Sequence, residues 1–93
     1  MDDLLASHHE TADDYVGVIA RLCHRHRVIV CKDNTQWILQ RRKNGGAKRP
    51  WRGVGYFRKR NALNRVSASL CSRVDPSAMA ILVALPSHFG GAG

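Results

Sequence analysis

The middle of this sequence has almost no negative charge. Between Asn34 and Val74 there is no aspartate or glutamate, whereas eleven lysine and arginine residues fall in that stretch. Five of the seven acidic residues lie in residues 1–20, which contain no lysine or arginine, and the formal net charge is +8. Because like charges on a solvated surface repel one another, this distribution indicates that an external anionic partner supplies the counter-charges.

Long hydrophobic runs and an export signal are also lacking. The longest apolar run, Ala78 to Leu85, is far shorter than the ~20 residues of a membrane span. The acidic start, Met1-Asp2-Asp3, does not have the basic n-region of a signal peptide. Three cysteines are an odd number. We therefore expect reduced thiols, a cytoplasmic location and no membrane association.

The length and the periodicity of the apolar residues predict a single α+β domain. The chain has 93 residues, which is enough for one domain with a small core. We expect this domain to span residues 11–89, with a disordered or frayed N-terminus over residues 1–10 and a flexible tail over residues 90–93. A first helix is predicted near residues 12–24, where apolar residues recur at the spacing of one helical face, at Tyr15, Val18, Ile19 and Leu22.

Three strands are predicted after this helix. They cover residues 28–31, 35–43 and 51–58, where β-branched or alternating residues are separated by turn residues. In the last strand the alternation places Trp51 and Phe57 on one face and Arg52 and Arg58 on the other. The expected result is a three-stranded antiparallel sheet.

Two helices are predicted at the C-terminal end, over residues 61–74 and 76–85. Asp75 and Pro76 are typical of an N-cap and a first helical residue. The full prediction is therefore α-β-β-β-α-α, a three-stranded sheet braced by helices. The second of these helices is apolar nearly all round, so it is either buried or faces a partner, and a homodimer through residues 77–85 would cover it.

The basic residues of the predicted hairpin and loop are the candidate binding site. Glutamine and arginine pair with base edges, lysine and arginine contact phosphates, and an aromatic ring stacks on unpaired bases. The candidate residues are Gln36, Gln40, Arg41, Arg42, Lys43, Lys48, Arg49, Arg52, Tyr56, Arg58, Lys59, Arg60 and Arg65.

The two hairpin strands carry a resemblance to a known kind of module. TQWILQRR at residues 35–42 and WRGVGYFR at residues 51–58, followed by a helix from Asn61, resemble the AP2-like and integrase arm-type DNA-binding modules. The resemblance covers residues 28–74. It implies a three-stranded sheet that reads DNA while one helix braces its back. It also implies that five side chains face DNA, namely Gln36, Gln40, Arg42, Arg52 and Arg58.

Metal and catalytic sites are not expected. Cys23, His24, His26 and Cys31 have no C-x2-C pair, and the two histidines would point apart on an extended chain, so we interpret the cysteines as small buried apolar residues. General acid–base catalysis needs carboxylates near the reacting groups, but the acidic residues lie almost wholly in the first twenty positions. We expect no enzyme activity and no cofactor.

The sequence therefore predicts a small basic binding protein. Nucleic acid or a ribonucleoprotein is the favoured partner. An acidic protein surface is a second possibility, as for an inhibitor of the phage or mobile-element type with an anti-CRISPR or anti-restriction role that docks on a larger protein or ribonucleoprotein. A third reading is a merely soluble protein of high pI whose acidic N-terminal segment folds back onto the basic stretch.

Overall fold

In the part of the chain that the structure describes, four strands precede two helices. The computed structural model describes residues 8–46 and 48–91. The frayed ends predicted at residues 1–10 and 90–93 lie for the most part outside them. One antiparallel sheet holds the strands in the order β1-β2-β3-β4. The elements are β1 (Val18–Cys23), β2 (His26–Val30), β3 (Trp37–Arg42), β4 (Trp51–Phe57), α1 (Arg60–Leu70) and α2 (Pro76–Val83).

The first helix predicted from the sequence, near residues 12–24, is wrong, because residues 18–23 form β1 and the residues before them form turns. Arg21 is exposed between the buried Ala20 and Leu22, which is the alternation of a strand. A turn of only two residues after Cys23 leads into β2, and β1 pairs with β2 along its length. This pairing outweighs the helical spacing of the apolar residues. The sheet therefore has four strands, not three, and the order is β-β-β-β-α-α.

The three strands predicted from the sequence are present as β2, β3 and β4, but the faces of β4 differ from the prediction. Leu39 pairs with Gly55 and the next residue, Gln40, pairs with Gly53. Val54 is therefore an extra residue on β4, which is a β-bulge. Because the bulge shifts the alternation by one residue, Trp51 and Phe57 lie on opposite faces of the sheet.

Both faces of the sheet carry a covering layer. On one face the two helices pack over the larger core, and residues 10–15 cross the other face over a smaller core. Leu63 of α1 and Leu82 of α2 are fully buried in the larger core. The buried residues of the smaller core are Tyr15, Ile29, Cys31 and Ile38.

The chain between the helices is anchored to β1. The helix predicted over residues 61–74 ends at Leu70, and Cys71 follows in an extended conformation. The N–H of Asp75 donates to the carbonyl of Leu22 at 2.8 Å, which holds this connection extended. The side chain of Asp75 then accepts bonds from the first turn of α2, whose first residue is Pro76, as the sequence predicts. None of the helices within residues 8–46 and 48–91 is long and apolar enough to cross a membrane.

Candidate anion-binding cleft

Cationic side chains from three segments line one cleft of about 240 Å³. We call it the cationic cleft. The turn between β1 and β2 contributes one residue, the end of β3 and the residues after it contribute four, and the start of β4 contributes two. None of the described residues that line it carries a carboxylate. The lining residues are Arg25, Arg41, Arg42, Lys43, Asn44, Arg52 and Val54.

Backbone hydrogen bonds hold these segments together. The N–H of Arg42 donates to the carbonyl of Arg25 at 2.8 Å, and Nε of Arg25 donates to the carbonyl of Arg42 at 3.3 Å. Arg41 and Arg52 are direct cross-strand partners. Like charges directly opposite each other destabilise a sheet, so this pair costs free energy unless an anion lies between the two side chains.

Among the described residues, one ion pair joins the acidic N-terminal segment to the cationic cleft. Nη1 of Arg42 lies 2.8 Å from Oδ1 of Asp13, and no other salt bridge between described residues is formed in this protein. The pKa of Asp13 is held below its usual range by the hydrogen bond from Trp51 and then by the bond from Arg42. The other cationic residues of the cleft have no carboxylate partner in the described part of the chain.

The predicted site residues fall into separate groups. Four of them, Arg41, Arg42, Lys43 and Arg52, line the cationic cleft, and Lys48 and Arg49 are exposed in the loop between β3 and β4. A further four lie beyond the far end of β4 or on α1. Six strand residues at ~3.3 Å each place Arg58, the first member of this group, about 20 Å from Arg52. Its members are Arg58, Lys59, Arg60 and Arg65.

Three predicted site residues lie outside both groups. Gln40 is buried: its amide nitrogen donates to the carbonyl of Glu10 at 2.9 Å, and its oxygen accepts from Arg27 at 2.7 Å. Gln36 is half-buried just before β3. Tyr56 is 60% exposed, but it pairs with Ile38 on the face that residues 10–15 cross. The five side chains that the DNA-module resemblance implies therefore do not share one open face.

Arg25 is a cleft residue that the sequence analysis did not select. The sequence predicts residues 12–24 as a helix, so a hairpin turn at this position was not expected. The signal that could have revealed the turn is the short stretch between the β-branched Val18-Ile19 and the β-branched residues 28–30. Because β2 pairs with β3 as well as with β1, the turn between β1 and β2 lies beside the end of β3.

A second arginine, Arg27, is fully buried and serves the fold. Its guanidinium lies 4.4 Å from the ring centre of Trp51 and donates to Gln40 and to three backbone carbonyls of the N-terminal segment. Burial lowers its pKa to about 10, so it remains charged at neutral pH. Because its donors are bonded within the chain, Arg27 is not a candidate for ligand binding.

Two cysteines and a histidine meet on the face of the sheet that the helices cover. Sγ of Cys23 lies 3.4 Å from Nδ1 of His26 and 3.1 Å from Sγ of Cys71. The four residues that are close in sequence, Cys23, His24, His26 and Cys31, do not form this cluster. His24 is exposed, and Cys31 belongs to the smaller core on the other face of the sheet.

Comparison of the chain with protein-family models, with curated proteins and with solved structures gave no match. The chemistry of the cationic cleft is thus the basis on which a function is assigned.

Proposed function

We propose that this protein is a non-catalytic nucleic-acid-binding protein and that the cationic cleft binds the phosphate backbone. The observation that carries the proposal is the lining of the cleft, where four arginines and one lysine converge and no carboxylate of residues 8–46 or 48–91 takes part. Phosphate contacts from arginine and lysine supply most of the affinity of such proteins, because each contact releases a condensed counterion.

The geometry of the cleft suits a phosphate better than a neutral ligand. An arginine guanidinium can donate two parallel hydrogen bonds to one phosphate. A phosphate between Arg41 and Arg52 would also relieve the repulsion of these cross-strand partners. Lys48 and Arg49 lie in the loop that connects the two strands and extend the positive surface beyond the cleft.

A nucleic acid fits this surface better than an acidic protein does. A nucleic acid strand carries a phosphate at every nucleotide, so it can neutralise successive cations along the cleft and the loop. A protein partner would need carboxylates placed opposite each of these cations. We therefore assign the partner as nucleic acid, free or within a ribonucleoprotein.

The salt dependence of binding tests this proposal. We expect fluorescence anisotropy to show binding to labelled duplex DNA and to single-stranded RNA. The logarithm of the association constant should fall linearly with the logarithm of the salt concentration. If the five cleft cations, Lys48 and Arg49 each contact a phosphate, the slope on duplex DNA should be about −6. Arg52→Ala should weaken binding and reduce the slope by about one unit.

Arg65→Ala is the matched control. It removes the same charge from an exposed position on α1, outside the cleft, so it should change the slope much less than Arg52→Ala. Equal effects of the two substitutions would show that only the net charge matters. Binding that does not respond to salt would contradict the proposal altogether.

An inhibitor that docks on a larger protein is a second candidate, and the surface of α2 favours it. Met79, Ile81 and Val83 are exposed on this helix, which is unusual for apolar residues that lie close together. Isolation of the protein from its host with and without nuclease treatment separates the candidates. A defined protein partner retained after nuclease, without affinity for free nucleic acid at modest salt, would favour the inhibitor.

We also propose a reducing compartment, the cytoplasm, for this protein. Cys23, Cys31 and Cys71 carry free thiols, and such thiols persist where glutathione and thioredoxin keep proteins reduced.

A further inference from the structure

The cluster of Cys23, His26 and Cys71 joins two parts of the fold. Cys23 and His26 are the last and first residues of β1 and β2, and they pair across the hairpin. Cys71 is the residue after α1, where the extended connection to α2 begins. The ligand atoms of the three side chains all lie within 4.8 Å of one another. The fold thus brings Cys71 close to Cys23, although the two residues are almost fifty positions apart in the chain.

The three side chains carry the donor atoms that zinc prefers. Structural and catalytic zinc sites are built from cysteine sulfur and histidine nitrogen, at ~2.3 Å and ~2.0 Å from the metal. Two sulfurs on one tetrahedral zinc are ~3.8 Å apart at those bond lengths. The Cys23 and Cys71 sulfurs are 3.1 Å apart, so small side-chain rotations would admit the ion.

We propose that Cys23, His26 and Cys71 bind one zinc ion. The spacing Cys-x2-His in the hairpin supplies two ligands from one tight turn, and Cys71 supplies the third from the helical layer. Within the described residues no further histidine, cysteine or carboxylate joins the cluster. The fourth position of a tetrahedral zinc is therefore taken by water or by an external ligand.

Zinc binding displaces the protons of the two thiols, because only the thiolate form of cysteine is a metal ligand. The two protons pass to solvent and two Zn–S bonds form. The resulting site of two thiolates and one Zn²⁺ is electrically neutral.

The zinc site would stabilise a small protein. A metal held by residues from distant parts of the chain stabilises the folded state, because the unfolded chain does not hold these ligands together. This site would fix the hairpin of β1 and β2 to the end of α1. It would also hold the turn that carries Arg25, one residue before His26, and so help to shape the cationic cleft.

Native mass spectrometry of the full chain with added zinc tests the proposal. We expect one zinc per chain, release of about two protons on binding in weakly buffered solution, and, with cobalt in place of zinc, the visible absorption of a tetrahedral site with thiolate ligands. Cys71→Ser and His26→Asn should each weaken zinc binding by more than about 100-fold, since even loss of a residue that only orients a ligand costs 10–100-fold.

Cys31→Ser is the matched control. It makes the same atom change in a buried cysteine that lies in the other core and bonds to Thr35, so zinc binding should be unchanged. Circular dichroism of each variant establishes whether it is folded. If a cysteine variant does not fold, His26→Asn, the least disruptive change, tests the zinc site in its place.

Two results would overturn the zinc site. One is zinc binding that is absent, or lost equally in Cys31→Ser and Cys71→Ser. The other is a reduced, folded protein that takes up no metal but forms a Cys23–Cys71 disulfide on addition of a thiol oxidant, which would make the pair a redox couple instead.

Discussion

At the scale of single residues, Arg27 and Asp13 connect the N-terminal segment to the sheet. Arg27 is a buried cation that donates to the carbonyls of Glu10, Ala12 and Asp13. The carboxylate of Asp13 accepts from the indole N–H of Trp51 at 2.9 Å and from Arg42. A charge is buried at low cost only when hydrogen bonds satisfy it, and here backbone oxygens provide most of those bonds.

Replacement of Arg27 should destabilise the fold strongly. Arg27→Ala removes the stacking on Trp51 and leaves buried carbonyls without donors, so we expect the free energy of unfolding to fall by about 3 kcal/mol. Arg27→Lys keeps the charge but not the planar fork, and it should also destabilise. Urea denaturation provides the measurement. Arg49→Ala, in the exposed loop, should change stability by less than about 0.5 kcal/mol; an equally small effect of Arg27→Ala would contradict this account.

Asp13 makes the stability depend on acidic pH. Its pKa is lower in the folded chain than in the unfolded chain, where it is ~3.9. Its stabilising contribution is therefore present above the unfolded pKa and is lost as the pH falls through the folded pKa. Because the side chain is 59% exposed, the contribution is modest.

The comparison with Asp13→Asn isolates this contribution. We expect the stability difference between the original protein and the variant to shrink as the pH is lowered from about 6 to about 3. Thermal melting at each pH provides the measurement. A difference that stays constant over this range would show that Asp13 does not titrate in the way that its contacts imply.

At the scale of elements, β1 shows how pairing can outweigh a local pattern. Its apolar residues repeat at helical spacing, but Gly17 precedes it and Val18 and Ile19 are β-branched, which lowers helix propensity. The pairing of β1 with β2 stabilises the strand conformation of these residues over the helical one. The bulge at Val54 is a similar case, since alternation along β4 is regular in the sequence and the extra residue becomes visible only against β3.

Gly17, directly before β1, lies where there is little space for a larger side chain. A Cβ at this position would lie 2.9 Å from the carbonyl oxygen of Val30 and 2.6 Å from the ring of Tyr15. The hydroxyl of Tyr15 donates to the same carbonyl at 2.8 Å, so neither neighbour can move freely. Gly17→Ala should therefore lower the free energy of unfolding by about 1–3 kcal/mol.

The control for Gly17→Ala is Gly46→Ala. A Cβ at Gly46 would have no atom within 4 Å, so this variant should unfold at nearly the same urea concentration as the original protein. Equal midpoints for both variants would show that the contact at Gly17 is relieved at no cost.

At the scale of the whole molecule, charge and apolar surface are divided between different regions. Residues 10–15 of the acidic segment cross the sheet, as the reading of a self-neutralised protein requires, but the described residues of this segment form an ion pair with Arg42 alone among the cations of the cleft. That reading is therefore met at one residue. The remaining cleft cations have no carboxylate partner among the described residues, and the exposed apolar residues of α2 do not line the cleft.

The homodimer through residues 77–85 stays a prediction, and α2 supplies the means to test it. We expect light scattering to report a dimer for the original protein at high concentration. Val83→Glu places a charge at the most exposed apolar position of α2 and should produce a monomer. Ala68→Glu, at an exposed position of α1 and outside residues 77–85, is the control that should remain dimeric. A monomer for the original protein would contradict the dimer.

The amino-acid sequence by itself determined the charge separation, the alternation of β3 and the start of α2 at Asp75 and Pro76. Each of these depends on composition or on interactions within a few residues, such as the N-cap of Asp75. Only the tertiary structure decided the pairing of β1, the faces of β4, the burial of Gln40 and the approach of Cys71 to Cys23. These features depend on the register of segments that are distant in the chain, and register is set by the best joint packing of all strands, not by the preference of any one segment.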